Sequence, residues 1–299
     1  MAMIKYRSLS RRTFNIANII FLCLLSVTCL LPMVHVLALS LSDKNIADAG
    51  LISLWPQGTN LDSYRYILRT SEFFNGFRIS VIRVFLGLAI NLLLVVMTAY
   101  PLSKDNKSFR GRTYIVWYFV FTMLFGGGLI PLYMTVQSTK IMDTIWALIL
   151  PGALPVYNLV LMINFFRTLP KELEESALID GAGHWTILWR IYIPLSMAGI
   201  ATIALFITVG HWNSWFDGLI FMNSTENYPL QSYLQTVIVG LTNALTTKVF
   251  SENWRMLAKI SDRTVKAAQI FIAAIPILAV YPFLQKYFVK GLVLGSVKQ

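Results

Sequence analysis

Charge is what this sequence has least of. Only 13% of its 299 residues are Asp, Glu, Lys or Arg, about half the share of an ordinary soluble domain (about 25%). With 56% apolar residues, that shortage excludes a disordered chain and argues against a water-soluble globule. Acids are scarcer than bases, 14 against 25, which leaves a net charge of +11. In a membrane chain such an excess is what basic cytoplasmic loops supply, so no nucleic-acid partner is expected. Cysteine is nearly absent. Cys23 and Cys29 share one apolar run, and six residues of helix is about 600° of rotation, so they face different sides and cannot pair. No disulfide framework and no metal-type pattern exists. His35, His184 and His211 belong to different segments and form no i, i+4 pair. There is no Gly-x-x-x-x-Gly-Lys-Ser/Thr stretch, hence no phosphate-cradling loop and no cofactor expected in this chain. No Asp or Glu lies within an apolar run to relay protons, and Asp43 and Asp48 are too isolated to serve a membrane-embedded enzyme. Internal repeats and low-complexity tracts are missing as well.

Long apolar runs are what the chain does have. A helix needs about 20 apolar residues to cross the hydrocarbon core, and six segments qualify: 14–41, 79–102, 114–136, 145–166, 194–212 and 268–288. They lack the alternation of barrel strands, so the predicted fold is all-α, a polytopic membrane protein with six transmembrane helices in a single transmembrane domain, 1–299. Lys5, Arg7, Arg11 and Arg12 precede the first span, and Lys104, Lys107, Arg110 and Arg112 fill the loop after the second. Arg167, Lys171 and Arg190 follow the fourth, and Lys286, Lys290 and Lys298 lie at or beyond the end of the sixth. These loops fall on one side, which makes both termini cytoplasmic. Ser10-Arg11-Arg12-Thr13-Phe14 looks like a twin-arginine export signal, but the apolar stretch is too long for a signal core and five spans follow. Arg83 is the only charge clearly within a span and is expected to snorkel to the interface. Gly126-Gly127-Gly128 marks a broken or closely packed helix. The outer loop 213–267 is long enough to contact another molecule.

The segment 167–193 carries the most information. Pro170 suits a first helical position, and Glu172, Glu174 and Glu175 complement a positive helix end. Gly181 suits the stop. A second short helix, His184 to about Ile191, then leads to Pro194, which is expected to open the fifth span. The exposed corner is acidic at one end, small at Ser176 and Ala177, and apolar at Leu178 and Ile179. Such a knob suits a groove on a soluble partner.

Glu175-Ser176-Ala177, three residues, Gly181, nine residues, Ile191, one residue, Ile193-Pro194 resembles the EAA loop of ABC-importer permeases. The family pattern has Ala where Ser176 stands and Leu where Ile193 stands; both replacements keep size and character. Gly127-Gly128-Leu129-Ile130-Pro131, the stretch 145–151 and Gly210-His211-Trp212-Asn213-Ser214-Trp215-Phe216-Asp217 resemble the carbohydrate branch related to the maltose-type second permease subunit. The resemblance implies a non-catalytic permease subunit of a bacterial cytoplasmic (inner) membrane importer. A second homologous permease subunit would complete the pathway. Two cytoplasmic ATPase subunits, which bind the ATP and Mg, would dock on Glu174, Glu175, Ser176, Ala177, Leu178, Ile179, Asp180 and Gly181. An extracytoplasmic solute-binding protein would deliver an oligosaccharide, and an acidic one such as an alginate fragment is the guess. Amides and aromatic rings suit sugars, which makes Asn91, Asn158, Asn164, His211, Trp212, Asn213 and Trp215 the candidates for the pathway. The alternative, a stand-alone secondary transporter or channel, requires ion-coupling residues that are not found.

Overall fold

In a computed structural model, residues 9–236 and 261–296 are described, with side chains over 11–236 and 261–279. Every regular element among them is helical. The helices are α1 (Leu9–Ser40), α2 (Lys44–Asp48), α3 (Asp62–Ile67), α4 (Ser71–Ser103), α5 (Arg112–Leu124), α6 (Leu129–Ser138), α7 (Val156–Arg167) and α8 (Glu172–Ile179). They continue with α9 (His184–Leu195), α10 (Met197–Asn213), α11 (Phe216–Phe221) and α12 (Asp262–Ser296).

The chain divides into two compact units. One holds 1–70 and 237–274. In it the end of α1 packs on α2 through Ala38, Ala47 and Ile52. Ser63 Oγ donates to Thr264 Oγ1 at 2.8 Å, and Ser261 Oγ bonds Asp48. Residues 11–30 of α1 are exposed throughout although the helix is strongly apolar. Cys23 and Cys29 are among them, both free.

The other unit holds 71–236 and 275–299. Its core joins Val95, Ala99 and Leu102 of α4 to Leu159, Met162 and Phe166 of α7, Ile187 and Leu188 of α9, and Ile203 and Ile207 of α10. The buried face of α4 is Gly76, Ser80, Arg83, Gly87, Asn91, Val95, Ala99 and Leu102. Steps of three and four put these on one stripe, and small residues along it let neighbouring backbones approach.

α1 and α4 alone are each long and apolar enough to cross a membrane, and three bent pairs supply up to three more spans among the described residues. The expected span 79–102 lies inside α4, which starts at Ser71 because Phe73 and Gly76 are already buried and Glu72 suits the first turn. The stretch 114–136 is not one straight helix. α5 and α6 meet at 110°, with Gly128 at φ +89°, a conformation that an L side chain resists. Residues 145–166 begin as 3-10 turns, Ile145–Gly152, and bend by 51° into α7. Pro151 and Pro155 lie at the change, each lacking the N–H that an α-helix would use.

The expectation that Pro194 opens the fifth span is corrected: α9 continues through it to Leu195, and the chain turns by 82° at Ser196. A π-helical stretch, Leu188–Tyr192, leads into the proline, and that wider turn relieves the clash of a proline ring with the preceding carbonyls. The sixth segment, 268–288, lies within α12. The loop expected over 213–267 contains α11, while its residues 237–260 lie outside the described ones, as do Lys5, Arg7 and Lys298.

Candidate functional site

Four elements place polar groups around one cavity of about 400 Å³. α4 contributes Arg83 and Asn91; α7 contributes Asn158; the end of α10 and the start of α11 contribute His211, Ser214 and Asp217. Leu132, Phe206, Ile207 and Phe221 supply apolar wall between them.

Arg83 does not snorkel. It is 2% exposed and forms an ion pair with Asp217, with both guanidinium ends engaged. Nη1 donates to Asp217 Oδ1 at 3.2 Å, and Nη2 donates to the Leu148 carbonyl at 3.3 Å and to Asp217 Oδ2. The side chain therefore ties α4 to the 3-10 turn and to α11. A buried pair of this kind adds little over an apolar substitute, but removing one partner costs about 3–5 kcal/mol because the other is left uncompensated.

Arg83 Nε donates to His211 Nδ1 at 3.4 Å. That contact makes Nδ1 the acceptor, so Nε2 carries the proton and donates to Asn91 Oδ1 at 3.0 Å, with the amide turned so that its nitrogen donates to Gly87 O at 3.1 Å and Ala153 O at 3.2 Å. Every polar atom of Asn91 is thus engaged. Asn158 differs: it is 6% exposed, lines the cavity, and its side-chain amide makes no hydrogen bond among the described residues.

The other sequence candidates do not converge here. Trp212 is buried, meets Phe77 edge to face at 5.8 Å, and lines a separate apolar cavity of about 350 Å³ with Val81, Phe85 and Leu88. Asn164, Asn213 and Trp215 are exposed and lie outside the lining. Asp217 was absent from the candidates, and Arg83 was counted only as a charge.

The second region is α8 with the turn after it. Glu175, Ser176, Leu178, Ile179 and Asp180 are exposed, Ile179 by 86%, whereas Ala177 packs against the core. Gly181 has φ +78°, as its place after a helix end requires, and a Cβ there would touch nothing within 4 Å. Glu174 points inward. Lys104 Nζ donates to its Oε2 at 2.7 Å, and Tyr192 Oη–H donates to the same oxygen at 2.6 Å. Burial opposes ionisation of Glu174, yet the hydrogen bonds from Lys104 and Tyr192 hold its carboxyl below the usual value. Burial pushes the Lys104 ammonium below the usual lysine range in spite of Glu174, and burial together with Glu174 raises the Tyr192 phenol. On another loop, Asp143 accepts from the backbone N–H groups of Asn223 and Ser224 and from Asn227 Nδ2, at 3.1, 3.3 and 3.1 Å. Among the described residues no cluster of His, Cys, Asp and Glu could hold a metal ion.

A bent-helix membrane unit around a polar cavity, with an exposed helical knob and no nucleotide loop, has the make-up of a transporter subunit. The chain belongs to the family of binding-protein-dependent transport system inner membrane components, whose pattern matches residues 112–294. It is 40% identical to protein LplC of Bacillus subtilis (strain 168), across 96% of this chain and 95% of that one. It is 36% identical to the polygalacturonan/rhamnogalacturonan transport system permease protein YtcP of the same organism, across 97% and 100%. Among solved structures it resembles a chain of a bacterial ABC transporter involved in the import of the acidic polysaccharide alginate. The TM-score is 0.85 at 31% identity, covering 95% of this chain and 99% of the other. The chain is accordingly a membrane-embedded permease of a binding-protein-dependent importer, as its loop motif implied.

Proposed function

We propose that this chain forms half of the pathway by which a bacterial inner-membrane importer takes up an acidic oligosaccharide. In this reading six spans cross the membrane, the sixth within α12, and both termini are cytoplasmic. A second permease completes the pathway, two ATPases dock on the exposed side of α8, and an extracytoplasmic binding protein delivers the sugar. The single observation that carries the reading is the match along nearly the whole chain to permeases of carbohydrate importers. The preference for uronate sugars rests on the polygalacturonan and alginate named for those two relatives.

The cavity suits sugar hydroxyls. Asn158 offers an unengaged amide, the partly exposed Asp217 carboxylate offers acceptors, and Phe206 offers a ring face. Asn91 supports from behind by orienting His211. Glu175, Ser176, Leu178, Ile179 and Asp180 form the knob for the ATPase, and Gly181 allows the reversal after it. Hydrolysis by the ATPases moves α8, and the helices reorient around the cavity.

The test is uptake by proteoliposomes holding the two permeases, the ATPases and the binding protein, offered oligogalacturonides, alginate oligomers or maltodextrins. ATP-dependent uptake of the uronate oligomers is expected. Gly181→Val, which places a β-branched residue at a positive φ at a cost of about 1–3 kcal/mol, should abolish uptake while the subunit still inserts. Uptake driven by an ion gradient without the ATPases would instead establish a stand-alone transporter.

A further inference from the structure

α8 has two faces that do different things. The outward one carries Glu175, Leu178 and Ile179; the inward one carries Glu174. No residue of α8 is fully buried, so its hold on the rest of the chain is thin. Apart from the packing of Ala177 and the pair of Lys171, just before α8, with Asp105 in the open where solvent screens it, that hold is the Glu174 cluster. There the Lys104 ammonium sits 3.9 Å from the ring centre of Tyr100 and 4.1 Å from that of Tyr192. It donates to Glu174 at 2.7 Å and to Tyr192 Oη at 2.9 Å. The two tyrosine rings meet edge to face at 5.0 Å, and Tyr100 Oη lies 3.1 Å from His184 Nδ1. The side chains of Lys104 and Glu174 are only 11% and 16% exposed. One ammonium group, enclosed by two rings, thus joins the end of α4 to α8 through Glu174 and to α9 through Tyr192.

α4 then runs uninterrupted from this joint to the cavity wall, where it carries Asn91 and Arg83. The thirteen steps from Asn91 to Lys104 span about 20 Å at about 1.5 Å per residue. Arg112 Nε donates to Leu102 O at 2.7 Å and Arg167 Nε to Ser103 O at 3.4 Å. The last carbonyls of α4, which lack partners within the helix, are therefore held, and the end next to Lys104 cannot fray away from the joint.

We infer that Lys104, Glu174 and Tyr192 are the joint through which displacement of α8 is passed to α4 and so to the cavity, which makes Lys104 and Glu174 positioning residues for transport. The inference rests on the reading of α8 as the ATPase-docking helix.

The test uses the assembled importer in nanodiscs, in a background lacking Cys23 and Cys29, with one reporter cysteine at the cavity wall, Leu132→Cys. Maleimide labelling of that cysteine is followed with and without trapping by ATP and vanadate, alongside ATPase co-purification and ATP turnover. In the parent, trapping changes the labelling rate. Lys104→Met and the isosteric Glu174→Gln should keep the ATPases bound and hydrolysing but lose the labelling change. Lys104→Arg, which can still donate to Glu174 and lie on the rings, should keep it. A parent-like labelling response in Lys104→Met and Glu174→Gln would overturn the inference. So would loss of ATPase co-purification in both, which would make the cluster a support of the docking surface. Failure of the parent itself to retain ATPases would instead remove the docking reading beneath it.

Discussion

Gly87 lies on α4 one turn before Asn91, and a Cβ built there would stand 2.3 Å from His211 Nε2. The imidazole occupies the space that a side chain would need, and its two nitrogens then reach Arg83 and Asn91. Gly87→Ala should push the ring out of this bridge, at a cost of about 1–3 kcal/mol as overpacking usually exacts. A lowered unfolding midpoint together with lost uptake would be the measured result. Glu174 gives a second expectation at this scale. Its partners are Lys104 and Tyr192, with His184 also near enough to favour the carboxylate. Because its folded-state pKa is lowered, its contribution to stability is complete above the unfolded value of about 4.3 and is lost as pH falls through the folded value. The difference in unfolding midpoint between the parent and Glu174→Gln should therefore hold steady from about pH 7 to about pH 5 and close on further acidification. Arg83 shows why residue roles were only partly legible in the sequence. Its partner Asp217 lies 134 positions away, and no local pattern joins them. The recurrence of Gly76, Ser80, Arg83, Gly87 and Asn91 at helical spacing was readable, and it places Arg83 on an inward stripe rather than at the lipid interface.

Helices announced themselves through apolar length, and their interruptions did so unevenly. The triple glycine was readable as a broken or tightly packed helix, and the structure decides for a break, since a Cβ at Gly126 or Gly127 would meet nothing within 4 Å. Only Gly128 needs its φ of +89°. Gly126→Ala and Gly127→Ala should change stability by no more than about 0.5 kcal/mol. Gly128→Ala should cost about 1–3 kcal/mol from backbone strain. Thermal unfolding of the three variants separates the positions, and equal effects would place the turn elsewhere. The bend at Ser196 was not readable. Proline is the usual marker of a helix start or stop, yet the π-helical stretch before Pro194 lets α9 carry it, and what ends the helix is the packing of α10 on α4 and α7 rather than a local signal. The inward and outward faces of α8 were hidden for a similar reason: three acids and a serine look alike until Lys104 arrives from the end of α4.

At the scale of the whole chain, the basic loops predict a topology that fusions can check. A fluorescent protein joined after Gln299 should fluoresce and alkaline phosphatase at the same place should stay inactive, as a cytoplasmic C-terminus requires. The opposite pattern would put the C-terminus outside and overturn the topology read from the basic loops. The family was legible because its motif lies within one continuous stretch, 175–194, whereas the cavity was only half legible because it is assembled from several helices, some of them far apart in sequence. One feature of α1 reaches beyond the chain itself. Its apolar span of 30 residues measures about 45 Å at about 1.5 Å per residue, against about 30 Å of hydrocarbon in an average bilayer. Residues 14–30 are exposed along their whole length, so hydrophobic mismatch bears on their angle. A thicker membrane would stand α1 upright and a thinner one would lean it over, which makes lipid chain length a variable of this subunit's geometry.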